Sequence, residues 1–145
     1  NDILLNKKKI AGLLLEVKDL NKFTKRFIIG IGLNVNQTQF PDEIKNKATS
    51  MLNECNTDFN LELILIKFTE LFFENIFLIS ESNKLMELWK SFSNVIGKVI
   101  KFKQLEDDIE ITARVIDIDE DGGLSVLTEN GKKCKYYSGE ISLVY

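Results

Sequence analysis

Two apolar runs, interrupted by glycine and joined by a polar segment, constrain the fold of this chain more than any other feature. The first run covers residues 10–17 and the second residues 27–35, with a predicted polar turn over Lys18–Lys25. Both runs are nearly continuous in apolar residues, and the second is rich in β-branched ones. This pattern is typical of strands buried on both faces and not of amphipathic helices. The sequence therefore predicts a hairpin within a sheet.

Three glycines lie inside these predicted strands, at Gly12, Gly30 and Gly32. Glycine weakens a strand interior, so its presence there usually marks a bulge or the close approach of a ligand or another backbone. The spacing of Gly30 and Gly32 is not a dinucleotide fingerprint, because no third glycine opens a helix after it. From the residues alone a bulge is the commoner reason, and ligand contact is the open alternative.

A short apolar segment at residues 3–5 and a polar turn at Asn6–Lys9 precede the first long run. We expect these three strands side by side in one sheet, largely antiparallel. After Pro41, the acidic residues Asp42 and Glu43 suit a helix start, since negative side chains are favourable in a first turn. A further short helix is expected near Ser50–Cys55.

Two longer helices are expected to cover this sheet, which makes the first part of the chain an α+β domain. Asp58 or Asn60 is the predicted cap of the first helix, and Ser82 is the predicted cap of the second. The first helix has one wide apolar, phenylalanine-rich face that we interpret as core. The residues predicted to face inward are Leu61, Ile64, Leu65, Phe68, Leu71, Phe72, Phe77 and Ile79 in the first helix, and Leu85, Leu88, Trp89 and Phe92 in the second.

Period-2 alternation begins near residue 97 and predicts a second domain. Five short runs (98–105, 109–118, 123–128, 132–137 and 140–144) are separated by polar turns at 106–108, 119–123 and 130–131. Asn130-Gly131 between two such runs is the strongest short hairpin signal. Five short strands in so small a segment predict a small SH3-like β-barrel. We therefore predict domains at residues 1–95 and 96–145.

Charge and composition exclude several classes of function. The net charge is −3 with the acidic excess in the last third, which disfavours nucleic-acid binding. The chain has no histidine, so histidine-based catalysis and histidine metal sites are excluded within it. Cys55 and Cys134 have no metal-binding spacing and are interpreted as ordinary small residues of a reduced, cytoplasmic protein. No apolar run is long enough to cross a membrane.

Several segments resemble one enzyme family. Lys9-Ile-Ala-Gly-Leu-Leu-Leu-Glu16 followed by Gly30-Ile-Gly-Leu-Asn34 resembles the paired strand motifs of biotin protein ligases, which join biotin to carboxylases. Asn1-Asp2 resembles the end of the family's Trp-Pro-Asn-Asp motif. The later segments Ala48-Thr-Ser50 and Gly139-Glu-Ile-Ser-Leu143 are similar to the family in the expected order. The resemblance therefore runs along the whole chain.

The resemblance implies a fold and a reaction. The fold would be a mostly antiparallel sheet covered by helices, part of a class II synthetase-like catalytic domain, followed by the SH3-like barrel. Biotin would be activated with ATP to biotinyl-5'-AMP and passed to a lysine of a carboxylase carrier domain, with Mg²⁺ bound alongside the nucleotide. Lys9 matches the family's catalytic lysine, whose ammonium would stabilise charge that gathers in the transition state. Without the resemblance, Lys7-Lys8-Lys9 reads as a solvated strand edge.

The other expected site residues follow from the same match. The resemblance implies that one group of residues lines the pocket for biotin and the adenylate. A second group, from the start of the chain, would reach the adenylate or its Mg²⁺. The first group is Gly12, Leu13, Gly30, Gly32 and Asn34, and the second is Asn1 and Asp2. No protein metal-binding cluster is predicted.

The sequence starts with Asn-Asp and lacks the family's biotin loop, so we expect a part of a longer ligase that is inactive by itself. The expected partner is the biotin carboxyl-carrier domain of acetyl-CoA carboxylase or a similar enzyme, with a possible homodimer through the sheet. We expect no membrane or nucleic-acid partner for this portion. The alternatives are a lipoate or octanoyl ligase of the same superfamily, and a non-catalytic dimerisation or carrier-docking module.

Overall fold

The computed structural model describes residues 1–103, 110–137 and 140–143, without the side chains of residues 140, 142 and 143. Contacts within the chain divide it into two compact units, Asn1–Phe72 and Phe73–Tyr145. The architecture is α+β, with two separate antiparallel sheets and few helices. The predicted domain boundary after residue 95 falls inside the second unit and stays a prediction.

The first unit contains a three-stranded sheet in the order β1-β2-β3, as predicted. Its strands are β1 (Asp2–Leu5), β2 (Lys8–Asn21) and β3 (Thr24–Leu33), and all pairs are antiparallel. The tight turn between β1 and β2 consists of Asn6 and Lys7, which both have positive φ, 50° and 67°.

The predicted turn over Lys18–Lys25 is wrong, because β2 and β3 continue through it and leave only Lys22 and Phe23 in the turn. Asp19 pairs with Lys25 across the strands, and their side chains form an ion pair at 3.5 Å. Polar side chains are compatible with strands when both faces reach solvent, so the polarity of this segment did not mark its end.

The prediction that both long strands are buried on two faces is also wrong. Only Ile10 and Ala11 of β2 are buried, and no residue of β3 is. Leu15 remains 59% exposed and Phe27 60%. Continuous apolar runs show that side chains favour burial, but they do not specify which part of a protein buries them.

A connecting segment links β3 to the helices of this unit. Residues 42–47 form turns instead of the predicted helix, with the Pro41 carbonyl accepting from Ile44 and Lys45. The predicted short helix is confirmed as α1 (Met51–Cys55), and the hydroxyl of Ser50 caps it by accepting from the Asn53 amide.

Helix α2 (Leu61–Asn75) begins after Asn60, whose side chain accepts from the amides of Glu62 and Leu63, so the Asn60 cap is confirmed. The helix has no buried residue. The predictions that its apolar face is core and that it covers the sheet are therefore wrong. A 3-10 helix at Ile76–Ser80 follows, where the sequence predicted a continuation of α2.

Helix α3 (Ser82–Phe92) belongs to the second unit. Its N-cap is Glu81 and not Ser82, and the residues predicted to face inward are exposed, with Trp89 50% and Phe92 80% accessible. Lys90 ties the helix to residues 110–118, a strand of the second sheet, by donating to Asp117 at 2.9 Å. This ion pair links the helix to the second sheet, while the apolar side chains of the helix stay exposed.

The second sheet has the order β7-β6-β5-β4-β8, with all neighbours antiparallel. The five predicted strands are confirmed as β4 (Val99–Lys103), β5 (Glu110–Ile118), β6 (Leu124–Thr128), β7 (Lys133–Tyr136) and β8 (Glu140–Leu143). The Asn130-Gly131 turn is also present, with Gly131 at φ 78°. The turn at 106–108 lies outside the described residues, and barrel closure stays a prediction.

The hydrophobic core of the described residues lies in this second sheet. Its buried members come from three neighbouring strands: Ile100, Phe102, Ala113, Val115 and Val126. Among the residues that the structure describes, no helix is long and apolar enough to span a bilayer.

Candidate functional site

Lys9 is held from both sides by its backbone. On one side it pairs with Leu4 of β1. On the other it forms a parallel bridge with Ala48, in which its amide donates to the Lys47 carbonyl at 2.7 Å and its carbonyl accepts from Thr49 at 2.9 Å. The segment Ala48–Ser50 therefore lies beside Lys9, so two of the segments that resemble biotin protein ligases meet here.

A bulge directs the Lys9 side chain. Ile3 pairs with Ala11 but Leu4 pairs with Lys9, so Ile10 is an extra residue in β2. Positions three apart in a regular strand face opposite sides, because side chains alternate. The bulge at Ile10 removes one step of this alternation and places Lys9 on the same face as Gly12.

The Lys9 ammonium lies against Gly12 and Asp2. A Cβ built on Gly12 would lie 3.2 Å from Lys9 Cε and 3.3 Å from Lys9 Nζ, so a side chain there would displace the lysine. Lys9 Nζ forms an ion pair with Asp2 Oδ1 at 2.6 Å, with both side chains about half exposed, at 47% and 48%. Such exposed pairs contribute at most about 1 kcal/mol, so the ammonium can exchange this partner for a ligand anion.

The predicted glycines share the face of the Lys9 ammonium. Gly12 pairs with Asp2 in β1 and with Gly32 in β3, and directly paired residues point to the same face. A Cβ on Gly32 would meet nothing within 4 Å, and one on Gly30 would make only ordinary contact with Leu14. Gly30 and Gly32 therefore leave this side of β3 open, next to the Lys9 side chain that lies over Gly12.

Leu13 does not share that face. It pairs with Ile31 and alternates with Gly12, so its side chain lies on the opposite side of the sheet. Its backbone amide donates a hydrogen bond to the Asn1 carbonyl at 2.8 Å. The predicted role of Leu13 in the pocket stays a prediction, and only its backbone is near Asn1.

Asn34 is placed next to the Lys9 segment by three hydrogen bonds. Its amide donates to the Ile10 carbonyl, its carbonyl accepts from Met51, and its side-chain Nδ2 donates to the Thr49 carbonyl at 3.0 Å. The residue is half-buried. These bonds give Asn34 a structural role in joining the ends of β3 and the Ala48–Ser50 segment to β2.

Glu54 belongs to the same cluster, although the sequence analysis did not identify it. Its two carboxylate oxygens accept from Thr49 Oγ1 and from Asn6 Nδ2, each at 2.5 Å. The hydrogen bond from Thr49, followed by that from Asn6, holds the pKa of Glu54 below its usual value. Only the helix cap at Ser50, four residues earlier, could have indicated from sequence that this part of α1 is fixed.

A concavity of about 470 Å³ lies near this cluster, and its walls are mostly polar. Ala48, Thr49 and Glu54 contribute to it, together with Lys8 and residues of the 38–45 segment. Lys9 and the three strand glycines do not line it. The concavity and the Lys9–glycine face therefore share the Ala48–Ser50 segment but are lined by different side chains.

The chemistry available here is electrostatic. The Lys9 ammonium can stabilise a phosphate or acyl oxygen, and the open backbone at Gly32 allows a planar group to approach closely. Among residues 1–103, 110–137 and 140–143, no group of three acidic, cysteine or histidine side chains is arranged to hold a metal ion.

Comparison with known proteins identifies the relatives of this chain. Residues 95–144 match the family described as "Biotin protein ligase C terminal domain". The bifunctional ligase/repressor BirA of Bacillus subtilis is 32% identical over 149 residues, and so is that of Bacillus spizizenii. Each match covers 99% of this chain and 44% of the relative. The chain thus spans less than half the length of these curated relatives.

Solved structures agree with the sequence comparison. The apo biotin protein ligase of Aquifex aeolicus superposes with a TM-score of 0.80 at 33% identity, covering 99% of this chain and 63% of that chain. The same ligase in complex with biotin and ATP gives 0.79 at 32% identity, with 99% and 59% covered. This chain is therefore a relative of the biotin protein ligases over its whole length, and its last third matches the C-terminal domain of that family.

Proposed function

We propose that this chain supplies the lysine-bearing part of a site that activates biotin with ATP to biotinyl-5'-AMP. The same site would then pass biotin to a lysine of a biotin carboxyl-carrier domain, such as that of acetyl-CoA carboxylase. The observation that carries this proposal is the Lys9 ammonium, which the Ile10 bulge turns onto the Gly12 face at the point where the Ala48–Ser50 segment joins β2.

In this proposal Lys9 stabilises negative charge. Attack of the biotin carboxylate on the α-phosphate of ATP releases pyrophosphate and gathers charge around the phosphate. Attack of the carrier lysine on the mixed anhydride then gathers charge on the acyl oxygen. A fixed ammonium favours both transition states over their ground states, and an effect of this kind is worth roughly 10²–10³-fold in rate.

The glycine face fits the ligand for a simple reason. Gly32 has room in front of it, and Gly12 is in contact with the Lys9 chain, so a ligand can lie on the backbone within reach of the ammonium. Asn1 and Asp2 would stand at the β1 edge of the ligand. Asp2 is the carboxylate that would share Mg²⁺ with the nucleotide phosphates, since Mg²⁺ favours few protein oxygens and keeps several waters.

The experiment is a chimera in which this chain replaces the aligned stretch of the Aquifex aeolicus ligase. We expect the chimera to catalyse biotin-dependent exchange of pyrophosphate into ATP and to biotinylate a carrier domain. We expect this chain alone to do neither, because the biotin loop of the family has no match in its residues. The Aquifex ligase is the positive control.

Two outcomes would contradict parts of this proposal. A chimera that folds and binds ATP but forms no adenylate would exclude the proposed role for this chain. Exchange by this chain alone would leave the role intact and show that the expected dependence on further residues is wrong.

We also propose that the sheet of β1–β3 is the surface through which two copies associate. β1 and β3 are the edges of that sheet, and both carry exposed apolar side chains. Sedimentation at increasing concentration tests this, and a strict monomer throughout would contradict it.

A cytoplasmic location also stays a prediction, with which the free thiols of Cys55 and Cys134 agree.

A further inference from the structure

We propose that Glu54 is a positioning residue for Lys9, acting through the backbone segments on either side of that lysine. This inference deepens the proposed function, since it takes the role of Lys9 from there. Glu54 makes no contact with the Lys9 amine in any bond described above. Its two oxygens instead accept from Thr49 Oγ1 and Asn6 Nδ2.

Each of those two partners controls one side of Lys9. Thr49 is 2% exposed, and its amide donates to the Lys9 carbonyl at 2.9 Å. Asn6 lies in the turn that leads into β2, three residues before Lys9, with a left-handed φ of 50°. Asparagine adopts this conformation more readily than most residues, and the bond from its side chain to Glu54 then fixes where the turn lies.

One carboxylate therefore joins the turn before Lys9 to the segment paired with Lys9. Both contacts use it as an acceptor, since a hydroxyl and an amide NH₂ donate to it. A glutamine has one acceptor oxygen and one NH₂ group. That NH₂ group can donate to the Thr49 hydroxyl, so a glutamine could keep both contacts. Glu54→Leu has no polar side-chain atom and must lose both, which makes it the clean test.

The test uses this chain itself and measures amide hydrogen exchange and the NMR signal of Lys9 Cε. We expect Glu54→Leu to speed exchange of the Thr49 amide at least tenfold and to shift the Lys9 Cε signal toward that of Lys18, an exposed lysine on the same face of β2. Glu62→Leu, which removes an exposed acid from the first turn of α2, is the control and should change neither.

A double-variant cycle separates positioning from a general loss of stability. Thr49→Val removes the Thr49–Glu54 hydrogen bond from the other side. On that background Glu54→Leu should therefore change the exchange rate of the residue 49 amide by less than twofold. The proposal is overturned if exchange at Thr49 is unchanged, or if all amides of β1–β3 speed up equally while the Lys9 signal stays in place. None of these readouts requires ligase activity, so they remain decisive if the proposed function fails.

Discussion

The sheets β1–β3 and β4–β8 are built from similarly apolar strands, yet they bury them to different degrees. The second sheet has Ile100, Val115 and Val126 fully buried within its own unit. The first sheet buries Ile10 and Ala11 and leaves most of its apolar side chains exposed. The sheet with its own core is thus a structural module, and the sheet with accessible faces is the one that carries the candidate site.

The exposed sheet is fixed where the site lies. Lys9, Ile10 and Ala11 are bordered by β1, β3 and the Ala48–Ser50 segment, and this is the place where its burial is concentrated. The far ends of β2 and β3 lack such neighbours among the described residues. Burial in this sheet is therefore concentrated at the candidate site, and it does not follow the apolar content of the strands.

The largest expected effect concerns the core of the second sheet. Ile100→Ala should lower the free energy of unfolding by about 3 kcal/mol, because it removes a buried side chain and leaves a cavity. Ile29→Ala, in a strand where that side chain is 48% exposed, should cost less than about 1 kcal/mol. Urea unfolding with amide hydrogen exchange measures both, and equal losses would remove the contrast between the sheets.

Glycine substitutions sharpen the comparison at a smaller scale. Gly131→Ala places a side chain at φ 78° and should cost about 1–2 kcal/mol in the second sheet. Gly32→Ala meets nothing within 4 Å and has no positive φ, so it should leave the free energy of unfolding unchanged.

In the chimera, however, we expect Gly32→Ala to weaken ATP binding at least tenfold. Unchanged binding, measured by calorimetry, would show that this face does not contact the ligand.

The smallest expected effect is the contribution of Asp121 to the pH dependence of the second sheet. Hydrogen bonds from Lys135, Tyr137 and the Gly123 amide lower the pKa of Asp121 from 3.8 to about 2. The ionised form is favoured by folding, so Asp121 stabilises the sheet above pH 3.8 and this contribution is lost as the pH falls toward 2. In Asp121→Asn the free energy of unfolding should therefore fall less than in the parent chain as the pH drops from 3.8 to 2.

Fluorescence of Trp89, the single tryptophan, reports on this sheet because its ring lies 3.9 Å from the Cβ position of Gly122. Urea midpoints at several pH values between 2 and 5 give the measurement. Glu120→Gln, in the same turn, removes a charge without removing those contacts and is the control. If the urea midpoint falls equally with pH in Asp121→Asn and in the parent chain, the proposed contribution of Asp121 is refuted.

Local signals predicted local structure well. The Asn130-Gly131 turn, the Asn60 cap and the Ser50–Cys55 helix follow from residues close together in sequence, and the structure confirms them. The five strands of the second sheet also follow, because their alternation matches a sheet that buries one face on its own core. The segments that meet at Lys9 could be named from their resemblance to biotin protein ligases.

The remaining features depend on contacts that the sequence pattern does not encode. Periodicity marked the apolar faces of α2 and α3 but not the absence of a covering partner among the described residues. The bulge at Ile10 depends on the register of β1 against β2, which no local motif specifies. Glu54 was missed for the same reason, since its partners Asn6 and Thr49 are close to it only in space.

The most direct measurement of the central claim is the adenylation rate of the chimera with Lys9→Met and, as a matched control, Lys18→Met. Lys18 lies on the same strand and the same face as the Lys9 ammonium, but at the far end from Asp2. Lys9→Met should slow biotinyl-adenylate formation by roughly 100-fold or more, and Lys18→Met should change it by less than about twofold. Equal rates for the two variants would contradict the claim that the ammonium on the Gly12 face stabilises the transition state.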